Sequence, residues 1–211
     1  VAPEEFKEKW QVKVEEGTVA FGSGYHNWAL SLSYMKKKNI TFKDIIEAYS
    51  SGEEDAIKKL AKRAPIHEVI LDMVITHHPN PTQAQQYRIP HLWHGDLEGS
   101  DGKSLMSCDP NGRTYFIITK VVVDPQAGEI SAGRLFSGTV RKGDEIYLNR
   151  AKMSARIQQV FIYNGAKREI VDNIPAGNII GISGAKAGYP GETITTLGPA
   201  EPFEKIQHLF D

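Results

Sequence analysis

Five stretches of this 211-residue chain carry residue types able to do chemistry. Residues 18–28 read Thr-Val-Ala-Phe-Gly-Ser-Gly-Tyr-His-Asn-Trp, an apolar run followed by a Gly-Ser-Gly of the kind whose backbone amides often meet phosphate. Three stricter patterns refuse it. A Walker loop needs a lysine and a hydroxyl residue after its second glycine, and neither follows. A dinucleotide fingerprint needs a third glycine where Asn27 stands. A nucleophile elbow needs glycine two residues before Ser23, and that residue is Phe21. Residue types alone leave an ordinary turn between a strand and a helix.

The other four stretches are weighed the same way. His77 and His78 are adjacent, so on a helix they point in different directions, and His91 and His94 are distant. With no cysteine partner, the pair reads as cationic side chains near a helix C-terminus, and no metal site is expected. Cys108 is the single cysteine and has no triad partners at a recognisable spacing, which predicts a buried structural thiol. Lys36, Lys37 and Lys38 form a solvated helix end, with phosphate contact as the alternative. Asp96-Leu97-Glu98-Gly99 has an Asp-x-x-Gly spacing that chance supplies often. None of these is a catalytic constellation.

The elements that must position these residues change character along the chain. Trp10–Val14 and Thr18–Phe21 read as short strands. From Asn27 to Lys37, Trp28, Leu32 and Met35 recur at spacings of four and three, which predicts a helix. Thr41 with Asp44 resembles a capping box opening a helix through Tyr49. Glu53–Lys62 places acids first and lysines last, as a helix dipole favours. Pro65 suits the first turn of a further helix with an apolar stripe of Ile66, Val69, Ile70, Met73 and Val74. After about residue 99 the pattern becomes β-rich: Tyr115–Val123, Glu129–Val140, Glu145–Leu148, Ala155–Tyr163, Asn178–Ser183 and Glu192–Leu197, separated by glycine-containing turns. That spacing predicts a closed barrel, because closure removes exposed edges.

Bulk composition bounds the rest. A hydrophobic fraction of 40% allows a real core. A net charge of −1 excludes a surface that attracts nucleic acid everywhere, while leaving room for a local basic patch. The lone cysteine suits a reducing compartment. No apolar run approaches a membrane span, and VAPEEFKEKW has no signal-peptide pattern. The expectation is a soluble, cytoplasmic chain.

One stretch is specific enough to carry a family resemblance. Residues 133–144, GRLFSGTVRKGD, resemble the signature of the second domain of translational GTPases. VAFGSGYHNWA, ITFKDI, APIHEVILDMVITHHPNP, AQQYRIPHLWHGD, CDPNG and IPAGNIIG are similar, in the same order, to the archaeal and eukaryotic translocase branch of that family. The resemblance implies a multi-domain α/β plus all-β fold, read as an internal fragment. Residues 1–98 would be the C-terminal part of a G domain with the end of its insert, mainly helical here. Residues 99–197 would be the β-barrel second domain, and 198–211 a linker toward a third.

The resemblance also implies roles. Ser23, Gly24 and Tyr25 match the fifth guanine-nucleotide motif, in which small residues let the backbone approach the base. Gly24 stands where alanine is common. The family's phosphate loop, first switch, Asp-x-x-Gly and Asn-Lys-x-Asp all precede that motif and are not found here; Asp96–Gly99 follows it, in the wrong order, and is rejected. No histidine of this chain takes the role of the family's modified tip-domain histidine. The intact factor would use GTP/GDP with Mg2+ and act on the ribosome, while the fragment alone is expected to bind no cofactor and to be inactive. Its partners would be small-subunit rRNA and the factor's other domains, with neither membrane nor DNA. Arg141 and Lys142, then Arg134 and Arg156, are the candidate RNA contacts. Two rival readings stand beside this one: a non-enzymatic interaction module built on a β-barrel, and the spliceosomal relative in the same GTPase class.

Overall fold

The computed structural model describes residues 11–165 and 167–205. The chain divides into two compact units, Val1–Pro79 and Asn80–Asp211.

The first unit opens with an antiparallel hairpin, β1 (Ala20–Ser23) and β2 (Trp28–Ser31), in which Ala20 faces Ser31 and Ser23 faces Trp28. Four helices follow: α1 (Leu32–Lys38), α2 (Phe42–Ser50), α3 (Glu54–Arg63) and α4 (Ile66–His77). The helix predicted from Asn27 therefore starts five residues late. All four residues of β2 are buried, and Ala29 N–H donates to the Ala64 carbonyl at 3.1 Å while Trp28 bridges Pro65. A strand buried on both faces loses its alternation, and the Trp28-Leu32-Met35 spacing mimicked a helical face. Ser31 is the true N-cap, its hydroxyl accepting from Tyr34 N–H at 3.2 Å. The strand predicted over Trp10–Val14 is also corrected. Trp10 lies outside the described residues, and residues 11–14 form no strand; a turn closes instead, with Lys13 N–H donating to the Thr18 hydroxyl at 2.8 Å and Gly17 at φ +78°.

The capping pair at α2 forms as expected. Asp44 accepts from both the N–H and the hydroxyl of Thr41 at 2.8 Å, and Arg63 at the end of α3 donates to its other oxygen at 3.0 Å. The Thr41 backbone bond, then the Thr41 hydroxyl and Arg63, hold the Asp44 carboxyl down at about 2. A carboxyl depressed on folding contributes stability that is complete above its unfolded value of about 3.9 and is lost as pH falls through its folded value. The parent is thus expected to lose thermal stability between about pH 4 and pH 2, and Asp44→Asn to lose less over that window. Melting curves at pH 6 and pH 2.5 for both proteins check this; parallel losses would show that Asp44 contributes nothing.

Trp28, Leu30, Tyr34, Ile40, Leu60, Ala64 and Val69 form the core of this unit. Tyr34 donates to Glu68 at 2.7 Å, and burial, then that bond, pushes its hydroxyl up to about 12. The lysine end of α1 turns toward α4, where Lys37 meets Asp72 at 3.0 Å and Lys38 meets Glu68 at 3.8 Å.

The second unit begins with two helices that periodicity did not disclose, α5 (Pro81–Leu92) and α6 (Ser100–Ser107). The start of α5 was legible. Asn80 accepts from Gln83 N–H at 2.9 Å, Gln83 returns the bond at 3.2 Å, and Pro81 occupies the first turn. Pro90 lies inside the helix, where its ring nitrogen has no N–H to donate.

Ten strands follow: β3 (Tyr115–Asp124), β4 (Gly128–Ser137), β5 (Thr139–Arg141), β6 (Glu145–Leu148), β7 (Met153–Arg156), β8 (Gln159–Asn164), β9 (Lys167–Val171), β10 (Asn173–Pro175), β11 (Ile179–Ser183) and β12 (Thr193–Thr195). Eight make one antiparallel sheet in the order β7-β6-β12-β3-β4-β11-β8-β9, and β5 pairs with β10 alone. The predicted closed barrel is not found among the described residues, since no ladder joins β7 to β9. Strand spacing counts strands and says nothing of their pairing. Both sheets nonetheless share one core, with Phe116, Leu135, Leu148 and Val160 from the large sheet and Val140 and Ile174 from the small one.

The strand predicted over Glu129–Val140 breaks at Gly138, which has φ +77°. Here the chain leaves the large sheet so that β5 can pair with β10. An added Cβ would stand 2.6 Å from Thr114 Cα, so both dihedral and space call for glycine. Lys142-Gly143-Asp144 turns as expected, with Arg141 N–H donating to Asp144 at 2.8 Å, but it is no hairpin: the flanking strands β5 and β6 pair with other strands.

Residues 198–205 have no regular structure yet are tied to this unit. Arg113 donates to the Thr196, Gly198 and Pro199 carbonyls at 2.8, 2.6 and 2.8 Å, and Trp93 to Glu201 O at 2.8 Å; Phe203 is buried against Tyr115 and Phe136. Among the described residues, no helix is long and apolar enough to cross a membrane.

Candidate functional site

Ser23 ends β1, and residues 24–27 turn the chain into β2, so the Gly-Ser-Gly lies on a hairpin. The turn between strand and helix expected there is corrected accordingly. The glycine that packing requires is Gly22: a Cβ there would come within 2.5 Å of the Trp28 carbonyl oxygen and 2.9 Å of Ala29 Cα. Gly24 has open space where a Cβ would be, and Tyr25 is 90% exposed. The turn thus presents small residues and free backbone to its surroundings.

Four side chains tie it down. His26 N–H donates to the Ser23 hydroxyl at 3.2 Å, and the same hydroxyl lies 3.3 Å from His26 Nδ1. Tyr49 OH, from α2, stands 2.9 Å from that Nδ1 and accepts from Trp28 Nε1 at 3.0 Å. An indole N–H only donates, so the Tyr49 proton is free to point at His26 Nδ1. Sequence reasoning missed this pair. Tyr49 is 23 residues from His26, and only folding brings them together.

Beside the turn, β1 and α4 bound a groove of about 540 Å³ lined by Gly22, Gly24, Ala29, Ile70, Val74 and His78. His77 Nε2 meets the Gly17 carbonyl at 3.1 Å, a structural contact. Among the described residues, no group of three or more His, Cys, Asp or Glu stands close enough to hold a metal ion.

The basic candidates fall into two places. Arg141 and Lys142 are exposed at the end of β5. Arg156, also exposed, faces Glu145 across the ladder, and the backbone of Gly143 and Asp144 bonds to that of Ile157 at 2.9 and 3.0 Å. These three cations therefore border one turn, and none makes an ion pair among the described residues. Asp144, Glu145 and Asp172 lie in the same neighbourhood and dilute its charge. Arg134 stands apart on β4, its guanidinium 5.8 Å from the Phe136 ring centre. A groove of about 790 Å³ runs past Arg141, Tyr147 and Asn111.

The rejected Asp96–Gly99 stretch is a turn capping α6, with Gly99 at the N-cap and Asp96 accepting from Glu98 N–H at 3.0 Å. Cys108 is half-buried at the other end of α6, in a left-handed conformation at φ 56°. Burial pushes its thiol up, against a smaller opposing effect of Arg134.

Comparison with known proteins finds a matching domain family and relatives along almost the whole chain. Residues 128–195 match the family described as elongation factor Tu domain 2. Elongation factor 2 of Methanocaldococcus jannaschii is 53% identical over 210 residues, covering 99% of this chain and 28% of that protein. The Thermococcus kodakarensis protein of the same name is 51% identical over 207 residues, covering 98% and 28%. The Methanopyrus kandleri one is 49% identical over 210 residues, covering 99% and 16%. The chain spans about 28% of the length of the first two relatives.

Proposed function

We propose that this chain, a homologue of elongation factor 2, is a segment of a ribosomal translocase that hydrolyses GTP to move tRNA and mRNA. Identity near one half across almost the whole chain carries the reading. On it, residues 1–98 are the last part of the G domain with the end of its insert, 99–197 the second domain, and 198–211 the connection toward a third. The edge of β1 that pairs with no strand among the described residues supports the G-domain assignment. So does the exposed apolar face of α4, with Ile70, Leu71, Val74 and Ile75 at 49, 56, 44 and 79% exposure. Such a face calls for covering polypeptide.

GTP, bound with Mg2+ in the intact factor, supplies the bond whose hydrolysis drives the cycle. The residues of this chain fit one side of that ligand: Ser23, Gly24 and Tyr25 form an open turn able to approach the base. They hold no catalytic group, and the segment alone is expected to be inactive. Arg141, Lys142 and Arg156, bordering one turn, would contact small-subunit rRNA through phosphates, with Arg134 contributing less because it stands apart from them on β4 beside Phe136.

The test is a chimera in which this chain replaces the matching segment of the M. jannaschii relative. It should keep ribosome-dependent GTP hydrolysis, and a folded chimera without it would sink the reading. Reversing Arg141, Lys142 and Arg156 to glutamate together should weaken ribosome binding on the order of 100-fold at low salt and flatten its salt dependence. An unchanged salt slope would show that these cations do not touch RNA.

A further inference from the structure

We infer that His26 and Tyr49 are positioning residues for the guanine-facing turn, setting how well the intact factor holds GDP and GTP and how far it prefers them to adenine nucleotides. The inference rests on the reading of Ser23–Tyr25 as the base-side turn.

The turn has little packing of its own. Tyr25 is almost fully exposed, nothing lies where a Gly24 side chain would be, and Asn27 sits at φ 56°. What holds it is a chain of hydrogen bonds that starts in the core. Trp28 is 7% exposed, and its indole N–H fixes the Tyr49 oxygen at 3.0 Å. That bond leaves the Tyr49 proton for His26 Nδ1 at 2.9 Å. With Tyr49 as the donor, Nδ1 is the acceptor and the ring proton lies on Nε2. The His26 backbone N–H donates to the Ser23 hydroxyl at 3.2 Å, and that hydroxyl stands 3.3 Å from Nδ1, whose single lone pair Tyr49 occupies. The imidazole is gripped edge to face by Tyr25 at 4.8 Å and Tyr49 at 5.6 Å between ring centres.

Ser23 and the backbone beside it therefore take their orientation from α2. Without the His26–Tyr49 bond the turn samples other conformations, and a nucleotide must first select the competent one, which lowers its apparent affinity by the competent fraction. A base that makes fewer bonds to the turn loses less, so selectivity falls along with affinity.

The experiment uses the full-length factor and equilibrium titration with fluorescent GDP and ADP. Tyr49→Phe removes a single oxygen from a side chain 41% exposed, and His26→Leu removes the acceptor. Each is expected to weaken GDP about tenfold, the effect of one hydrogen bond to the turn, while ADP binding moves less. His26→Asn places an amide oxygen close to where Nδ1 stood and should restore most of the GDP affinity, which a merely bulk-packing role for the ring would not do. GDP affinity unchanged in Tyr49→Phe overturns the inference, as does an equal loss for GDP and ADP. Failure of the parent factor to bind GDP at all overturns instead the reading of the turn itself, and this inference with it.

Discussion

Gly133→Ala is expected to destabilise the sheet unit by about 3 kcal/mol or more, a fall in thermal midpoint on the order of 10 °C. Gly133 lies in β4 between Ile118 of β3 and Ile180 of β11. A Cβ there would overlap the Ile117 carbonyl oxygen and stand 2.9 Å from that carbonyl carbon and 3.1 Å from Ile118 Cα. The obstacle is main chain, so no rotamer change relieves it. The β3–β4 register shifts between Ile118 and Lys120, and the close approach accompanies that irregularity. Gly128→Ala is the control. It has φ +73° but nothing within 4 Å of the added carbon, so it should cost only the strain of the dihedral, about 1 kcal/mol. Equal midpoints for the two variants would show that β3 can retreat and that the bulge, not the glycine, sets the spacing.

Glu192→Ala is the second large effect. Glu192 is fully buried, and its carboxylate accepts from the backbone N–H groups of Arg150 and Ala151, each at 2.9 Å, and of Thr193 at 2.8 Å. It therefore serves the turn between β6 and β7 as a buried acceptor. Truncation leaves three N–H donors, that of Thr193 buried and those of Arg150 and Ala151 partly buried, without partners, which costs about 3–5 kcal/mol. Glu192→Gln keeps one acceptor oxygen but turns an amide N–H₂ toward a donor, for about 2 kcal/mol. Guanidinium unfolding should rank parent, Gln and Ala in that order. Hydrogen exchange should speed first at Arg150, Ala151 and Thr193. An Ala variant as stable as the Gln variant would mean that water enters and satisfies the donors. The same turn holds Arg150, whose guanidinium clamps the Gly191 and Phe203 carbonyls at 3.0 and 2.6 Å. Loosening it should also loosen residues 198–205.

Local chemistry was legible wherever a few neighbouring residues decide the outcome. Thr41 and Asp44 close their own cap, α3 follows from the charge order of Glu53–Lys62, and the β-branched run at Tyr115–Val123 becomes β3. It was illegible where burial overrode periodicity. Trp28–Ser31 is a strand because Ala64 and Pro65 close over it. The candidate site divides in the same way. Ser23, Gly24 and Tyr25 are adjacent and could be singled out in the chain, whereas Tyr49 comes to His26 from another element. Arg141 and Lys142 are neighbours, but Arg156 joins them only through the pairing of β6 with β7, and Arg134 is removed from them by lying on β4.

By itself, then, the sequence determined the family resemblance, most strand and helix segments and the small-residue turn, because each depends on residue type and short-range spacing. Only the tertiary structure decided that the turn belongs to a hairpin, that no ladder among the described residues closes the eight-stranded sheet, that β5 leaves it at Gly138, and which cations share a surface. These are questions of which distant groups meet. Pairing of strands far apart in the chain is settled by shared burial and backbone hydrogen bonding, and neither leaves a local mark on the residues that take part.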